Sequence, residues 1–268
     1  GIQAENSIFL DNSRIGSEVS ILGKGNAGTI DINTGSLTLQ NGSNLSTSDA
    51  FGQGNAGNIN INAKDNVSFD GTGKDLFQLY ATVFSGAKDG NGGEINITAQ
   101  NLTLSNGGNL NSLTSGVGNA GNVNINVSES VNIFGFAKVN ILEQTVDFPS
   151  SIISQVVIPE ASGNGGNIKL EAGSLSLNDS AGITSSTLGL GNAGNINFNI
   201  RDSVIIGNNA SIQSNVERGG FGKAGNVDIQ SRALILKDGG SIEAGLRDED
   251  ISLPGGRGEG GNIQIEAT

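Results

Sequence analysis

The tetrapeptide Gly-x-(Ala/Gly)-Gly recurs along the chain, and each copy is followed by alternating apolar and polar residues. Its first glycine occurs eight times, at Gly25, Gly54, Gly90, Gly118, Gly163, Gly191, Gly222 and Gly258. The basic spacing is about 28 residues, and longer spacings carry insertions. Self-similarity with a period of about 20 to 50 residues is typical of solenoid proteins. The chain is therefore predicted to consist of stacked copies of one unit.

Each tetrapeptide is followed by two apolar residues that flank one polar residue. The pairs are Ile30 and Ile32, Ile59 and Ile61, Ile95 and Ile97, Val123 and Ile125, Ile168 and Leu170, Ile196 and Phe198, Val227 and Ile229, and Ile263 and Ile265. Most of these residues are β-branched, which favours a pleated, half-buried surface. The positions between them are rich in Asn. This alternation predicts a strand with one buried side and one solvent-facing side.

Two further strands are predicted in each unit. A second apolar pair follows, as in Leu37 and Leu39, Val67 and Phe69, Leu102 and Leu104, Val131 and Ile133, Leu175 and Leu177, Val204 and Ile206, and Leu234 and Leu236. A short third strand comes next, as in residues 45–47, 110–112, 183–185, 212–214 and 242–244. Three strands form one triangular coil, and stacked coils bury a continuous apolar interior. The predicted fold is an all-β parallel β-helix (β-solenoid) of about eight coils, with residues 1–268 forming a single segment.

The glycines of the tetrapeptide are predicted to make tight corners that need positive φ and leave little room for a Cβ atom. A phosphate-binding loop is the alternative, but such a loop precedes a helix, whereas each copy here precedes a strand. The outward residues, such as Asn58, Asn60 and Asn62, are predicted to stack their amides in ladders from coil to coil.

Composition excludes several classes of function. The 14 basic and 26 acidic residues give a net charge of −12, so no nucleic acid is expected as a partner. The absence of Cys and His removes thiolate chemistry and the usual ligands of zinc. No apolar run is long enough to span a membrane as a helix. The chain has no Met, so we expect it to be part of a longer protein.

Two stretches carry a resemblance to a known family: GNAGNININAKDNVSFDG, and LTLSNGGNLNSLTSGVGNAGNVNI. They resemble the repetitive region of filamentous-haemagglutinin-like exoproteins, surface proteins of Gram-negative bacteria exported by two-partner secretion. The resemblance covers nearly the whole chain. It implies a right-handed parallel β-helix, an extracellular or cell-surface location and an outer-membrane β-barrel transporter as partner during export. It also implies a structural stalk or fibre role in adhesion, aggregation or biofilm matrix.

The family's secretion domain, with its Asn-Pro motifs, has no counterpart in this sequence, which contains no Asn-Pro dipeptide. Export by that route is therefore expected from the resemblance alone. The units at both ends stand at the same phase, since Ile2 and Ile265 occupy equivalent positions. We expect eight whole coils without capping segments. Further coils of the same chain, or end-to-end copies that form a fibre, are the expected partners along the axis.

A polysaccharide lyase or glycosidase is the alternative function, because such enzymes also use β-helices. Glycoside hydrolysis needs two carboxylates across a groove. Acidic residues cluster once, at residues 248–250 between Arg247 and Arg257, where solvated loop charge is the expected role. The chain has no Trp and one Tyr to stack on sugars. We predict no enzyme, no catalytic or metal residue and no cofactor. Weak Ca²⁺ binding at residues 89–94 and binding of a surface polysaccharide stay open.

Insertions interrupt the repeat at residues 71–80, 134–150 and 245–257. The first two leave the same corner and carry five of the eleven aromatic residues: Phe77, Tyr80, Phe134, Phe136 and Phe148. One interpretation is a satellite hydrophobic cluster packed on the rod, and the other is a surface that contacts a partner. The two insertions are predicted to touch each other, since their corners are about 10 Å apart along the axis.

Overall fold

The regular structure of this chain is built from β-strands. The computed structural model describes residues 1–19, 23–72, 82–141, 144–250 and 253–268. Within these ranges there is no helix, and hence none long and apolar enough to cross a bilayer. The strands are β1 Ile2–Gln3, β2 Ser7–Asp11, β3 Arg14–Gly16, β4 Ile30–Thr34, β5 Ser36–Gln40, β6 Asn44–Ser46, β7 Asp49–Gln53, β8 Ile59–Ala63, β9 Asn66–Asp70, β10 Thr82–Asp89, β11 Ile95–Ser105, β12 Asn109–Thr114, β13 Val123–Phe134, β14 Phe136–Ile141, β15 Gln144–Pro149, β16 Ser151–Val156, β17 Ile168–Ala172, β18 Ser174–Leu177, β19 Gly182–Thr184, β20 Ile196–Ile200, β21 Ser203–Ile206, β22 Ser211–Gln213, β23 Phe221–Lys223, β24 Val227–Ser231, β25 Ala233–Leu236, β26 Ser241–Glu243, β27 Arg257–Glu259 and β28 Ile263–Ala267.

Parallel pairing joins each strand to its counterparts in neighbouring units. The first strands of the units form the row β1-β4-β8-β11-β13-β17-β20-β24-β28. The second strands form a row beside it, and the two rows share one 15-stranded sheet because β11 and β13 run through both. The third strands form a separate sheet in the order β26-β22-β19-β16-β12-β10-β6-β3, with β7 paired to β10. The sheet order thus follows the sequence repeat.

The register of the first strands confirms the predicted apolar column. Eight residues pair in one continuous parallel series: Ile30, Ile59, Ile95, Val123, Ile168, Ile196, Val227 and Ile263. The first seven are at most 5% exposed. Ile263 and Ile265 differ, at 44% and 43% exposed, because β28 has a neighbouring strand on one side only. Burial therefore requires a stacked strand on both sides.

The core also contains the apolar residues of the second and third strands. The second pairs from Leu37 and Leu39 to Val204 and Ile206 are at most 1% exposed, whereas Leu236 in the last unit is 47% exposed. The leading residues of the third strands are 0% exposed at Leu45, Leu110, Ile152, Ile183 and Ile212. Complete burial of such a side chain contributes about 1.5 to 3 kcal/mol. Ile152 belongs to β16, which resumes the repeat after residues 134–150 and was not among the predicted third strands.

The corners between units require glycine for two different reasons. Gly163, the first glycine of its tetrapeptide, has φ of +154°, in the region that L side chains rarely adopt. Gly166, the last glycine of the same tetrapeptide, is restricted by packing instead. A Cβ atom on Gly166 would lie 2.2 Å from the carbonyl oxygen of Gly121 in the preceding corner. The prediction that these corners have little room for Cβ is confirmed.

A second kind of corner separates the second and third strands. Asn106 and Gly107 have φ of +50° and +89°, and the Gly108 N–H donates to the carbonyl of Ser105 at 2.8 Å. Two consecutive left-handed residues closed by such a bond are typical of a type I′ turn. Equivalent left-handed pairs occur at Asn41 and Gly42, Asp179 and Ser180, Asn208 and Asn209, and Asp238 and Gly239. This corner is the point from which the insertion at residues 134–150 emerges.

Candidate functional surfaces

Asparagine columns connect the tetrapeptide corners along the outside of the chain. In each step the side-chain Oδ1 of one Asn accepts a bond from the backbone N–H of the equivalent residue in the next unit. The donor–acceptor distances are 2.8 to 2.9 Å, and the acceptors are Asn26, Asn55, Asn91, Asn119, Asn164 and Asn192. The last donor is the N–H of Lys223, whose Nζ pairs with Glu259 at 2.6 Å. Beyond Asn192, the link to the next unit is therefore the ion pair between Lys223 and Glu259.

Outward amides on the first strands also stack, as the sequence predicted. Asn60 Nδ2 donates to Asp31 Oδ1 at 2.7 Å, and Asn96 Nδ2 donates to Asn60 Oδ1 at 2.8 Å. Asn124 Nδ2 then donates to Asn96 Oδ1 at 2.8 Å. Each such bond contributes about 0.5 to 1.5 kcal/mol net. These amides are engaged with each other, so their role here is structural.

A buried hydroxyl column lies inside the third sheet and was not predicted. Ser112, Ser154, Ser185 and Ser214 are each 0% exposed, although they are polar. Each Oγ donates to the carbonyl of the last glycine in its own tetrapeptide, at 2.7 to 2.9 Å. Ser154 Oγ also accepts from the N–H of Gly166 in the next corner, at 3.0 Å. Each of these hydroxyls thus fastens a third strand to a corner.

We expect Ser154→Ala to destabilise the chain by about 2 kcal/mol, because it leaves the carbonyl of Gly121 and the N–H of Gly166 without the partner they share. Thermal unfolding followed by circular dichroism measures this change. Ser128→Ala, at an exposed position of β13, is the matched control and is expected to stay within about 0.5 kcal/mol. Equal midpoints for the two variants would contradict the assigned role of the hydroxyl.

The insertion at residues 134–150 forms an antiparallel hairpin. Strands β14 and β15 pair from Phe136 opposite Pro149 to Ile141 opposite Gln144. Among the described strands this is the one antiparallel pair. The hairpin follows β13 and precedes β16, so it projects from the stacked strands between the second and third strands of one unit. The repeat therefore continues through the insertion.

Ser150 fixes the base of the hairpin to the repeat. It is 0% exposed, and its Oγ donates to the carbonyl of Phe134 at 2.7 Å. The same Oγ accepts from the N–H of Gly107 at 3.0 Å, and the Ser150 N–H donates to the carbonyl of Gly135 at 2.9 Å. Ala137, on β14, is also buried, at 6% exposed. The hairpin is therefore anchored at its base by side-chain and backbone contacts.

Three of the five predicted contact residues lie at this hairpin. Phe134 is 38% exposed, whereas Phe136 and Phe148 are half-buried. Lys138 Nζ lies 4.9 Å from the centroid of the Phe136 ring and 3.3 Å from Asp147 Oδ1. Phe77 and Tyr80 lie outside the described residues, as does the predicted contact between the two insertions. Binding of a partner by these aromatic residues stays a prediction.

A groove of about 330 Å³ lies beside the hairpin. One wall is Phe148, and the floor is the outward side of β12, β16 and β19, which contribute Asn109, Ser151 and Gly182. Its lining contains amides, hydroxyls and apolar groups but no Asp, Glu, Lys or Arg. We call it the hairpin groove. It is suited to an uncharged ligand with both polar and apolar faces.

Three other grooves along the described residues contain one carboxylate each. These are Glu5, Glu171 and Asp179. Glu171 pairs with Lys169 at 2.7 Å in the same groove. Hydrolysis of a glycosidic bond uses two carboxyl groups that face each other across the substrate. None of the four grooves offers such a pair.

The acidic insertion at residues 245–257 is held by arginine contacts. Arg218, from the preceding unit, donates from Nε to the carbonyl of Asp248 at 2.7 Å and lies 3.4 Å from Asp250 Oδ2. Arg247 contacts Glu243 at 3.0 Å and Glu217 at 3.5 Å. Partly exposed pairs of this kind contribute little to stability. Their evident effect is to fix the loop against its neighbour.

The segment considered for Ca²⁺ takes part in the repeat. Glu94 Oε1 accepts from Asn122 Nδ2 at 3.2 Å, and the Glu94 N–H donates to Asn58 Oδ1 at 2.9 Å. Across the described parts of the chain, no three acidic side chains come together as a metal-binding group. Comparison of the chain with protein-family models, curated proteins and solved structures found no match.

Proposed function

We propose that this chain is a stretch of right-handed parallel β-helix, with three strands in each of eight coils, that serves as a structural stalk or fibre segment of a secreted or cell-surface adhesin. The stalk would be roughly 40 Å long at the usual spacing between strands. The resemblance to filamentous-haemagglutinin-like exoproteins supports this proposal. The same resemblance implies export through an outer-membrane β-barrel transporter and a location at the surface of a Gram-negative bacterium, and both are part of the proposal.

The observation that carries the proposal is the continuity of the hydrogen-bonded columns. The asparagine column passes through six consecutive steps from Asn26 to Lys223 without a break. The apolar column beside it runs from Ile30 to Ile263. Outward and inward positions are thus both used to join one unit to the next. A chain built this way resists bending and separation of its units, which is what a stalk requires.

An enzyme on the same architecture is the alternative function. A stalk is favoured because none of the four grooves holds two carboxylates. In addition, Arg218 and Arg247 contact the loop at residues 248–250 or neighbouring Glu side chains. Incubation with neutral and acidic polysaccharides separates the two. A stalk produces neither new reducing ends nor unsaturated sugars. Depolymerisation of any of them by the purified chain would favour the enzyme.

Deletion of one whole unit tests the stacking on which the stalk depends. Removing residues 163–190 takes out 28 residues and joins Ser162 to Gly191. Ser162 and Leu190 are equivalent positions of successive units, since they form a parallel bridge with each other. Ser162 therefore takes the place of Leu190 at the new junction. Because each unit contacts only its neighbours, we expect a folded, shorter protein with a modestly lower unfolding midpoint.

The matched control removes half of the same unit, residues 163–176. This deletion breaks the order of the three strands and leaves apolar side chains without a stacked partner. We expect loss of cooperative unfolding and increased binding of a hydrophobic dye. The stacking proposal fails if the whole-unit deletion is as disruptive as the half-unit deletion.

A further inference from the structure

We propose that the hairpin groove binds a neutral oligosaccharide. This inference rests on the proposed adhesive function and deepens it by naming a ligand class and a site. The groove lies where the hairpin rises beside the third sheet, so the insertion and the repeat each contribute one surface. Phe148 supplies the wall, and β12, β16 and β19 supply the floor.

The lining matches the two kinds of surface that a sugar ring presents. A pyranose has an apolar face of C–H groups and a rim of hydroxyls. The Phe148 ring offers an apolar surface, whereas Asn111, Ser180, Thr184 and Ser211, which are partly or fully exposed, offer an amide and hydroxyls. Amide and hydroxyl groups both donate and accept hydrogen bonds, as sugar hydroxyls do. Recognition of a sugar at this groove therefore needs no charged group.

One lining residue has an unmet hydrogen-bonding capacity. The Oδ1 atom of Asn111 is enclosed and has no hydrogen-bond partner. A buried acceptor in this state is unfavourable, because it has lost its water and gained no donor. Asn111 also lines the groove, so a shift of its side chain on binding would bring this acceptor to a donor on the ligand. A sugar hydroxyl bound there supplies the missing donor.

The floor of the groove is a regular array with a gap. Asn109 pairs with Ser151, and Ser151 pairs with Gly182, in adjacent parallel strands. Such strands are about 4.8 Å apart, which is close to the length of one sugar residue in an extended glycan. Gly182 supplies no side chain, and a Cβ atom there would meet only Thr184 Oγ1, at 3.9 Å. The missing side chain leaves open space above β19, next to Ser151, where a sugar ring can lie.

The charge of the chain selects a neutral ligand over an acidic one. The net charge is −12, and the groove lining contains no Lys or Arg. A uronic acid or sialic acid residue would meet a repulsive field without a local cation to offset it. Neutral glucans, mannans and galactans carry no such penalty. The proposal commits to this neutral class.

The test uses short linear glucans, mannans and galactans, with matched uronic acid oligomers, in ligand-observed NMR titrations of the whole chain. We expect binding of at least one neutral series and none of the uronic acids. Gly182→Leu fills the gap in the floor and should lower the association constant about tenfold or more. Gly245→Leu is the matched control, since a Cβ atom at Gly245 meets no atom within 4 Å and the site lies outside the groove.

Each outcome decides the proposal. Binding that is lost in Gly182→Leu and kept in Gly245→Leu supports it. No binding of neutral oligomers, binding of uronic acids alone, or equal binding by both variants overturns it. Asn111→Ala removes an amide without adding bulk, and its weaker binding keeps the test decisive if Gly182→Leu does not fold. Failure here leaves the unit-deletion result unaffected, so the stalk proposal is judged separately.

Discussion

Ile125→Asp is expected to lower the stability of the chain by about 4 kcal/mol or more, which corresponds to roughly 10 °C in the unfolding midpoint. Ile125 is 2% exposed and lies between Ile97 and Leu170 in the inward column of the first strands. The replacement removes apolar contacts and places a carboxylate where the stacked neighbours offer no hydrogen-bond donor side chain. Thermal and denaturant unfolding followed by circular dichroism measure the loss.

Asn126→Asp is the matched control for this prediction. It introduces the same charge one position further along β13, where the side chain is exposed. We expect a loss of at most about 1 kcal/mol, because the new carboxylate keeps its water and meets one like charge, that of Glu171 opposite it on β17. Similar midpoints for Ile125→Asp and Asn126→Asp would contradict the inward assignment of Ile125.

Gly166→Ala is expected to destabilise the chain by about 3 kcal/mol, although it adds one methyl group to a corner. The new Cβ atom would lie 2.2 Å from the carbonyl oxygen of Gly121 and 2.5 Å from Ser154 Oγ. The first of these is backbone of the preceding corner, so one corner must move away from the other. That movement weakens the bond from Gly166 N–H to Ser154 Oγ. Denaturant titration is the direct measurement.

Gly182→Ala provides the comparison, because the same substitution there meets open space. The new Cβ atom has Thr184 Oγ1 at 3.9 Å as its nearest neighbour. Replacing Gly by Ala without strain is expected to stabilise by about 0.4 to 1 kcal/mol, through loss of freedom in the unfolded chain. The two variants should therefore shift the midpoint in opposite directions. Shifts of the same sign would contradict the close approach of the corners.

The apolar columns were predictable from sequence because their residues repeat with a simple period. The alternation in Ile59-Asn60-Ile61 gives the side of the strand on which each residue lies. The repeated tetrapeptide gives the alignment between units. Together they predicted the register from Ile30 to Ile263, which the structure confirms. Packing of corner on corner was likewise expected, because no other residue replaces the last glycine of the tetrapeptide.

The hydroxyl column was missed because polarity alone suggests an outward position. Ser112 and Ser185 follow a buried residue by two positions, which by alternation places them inward. Their partners are glycines 19 residues earlier in the chain, a distance at which no local pattern links them. The recurring order apolar-x-Ser was the available signal. This order identifies which position carries the inward hydroxyl. The hydrogen bond from that hydroxyl to the glycine corner explains why a polar residue is buried there.

The candidate site was less predictable than the repeat because it lies where the period is broken. Residues 134–150 have no equivalent in neighbouring units, so nothing aligned Phe136 with Pro149 or revealed the hairpin. The role of Ser150 depends on Gly107, which lies 43 residues earlier. The hairpin groove combines both segments with β19, so its lining is a property of the assembled fold.

The parallel registry between units has a consequence for how the chain acquires its structure. Equivalent residues of neighbouring units are 28 to 45 positions apart along the chain wherever the asparagine column joins them. The entropy of closing a loop depends on this separation and not on total length. Adding units therefore lengthens the molecule without making any single closure slower. A unit can therefore dock on the one before it while later residues are still extended, so folding can proceed unit by unit from one end of the chain.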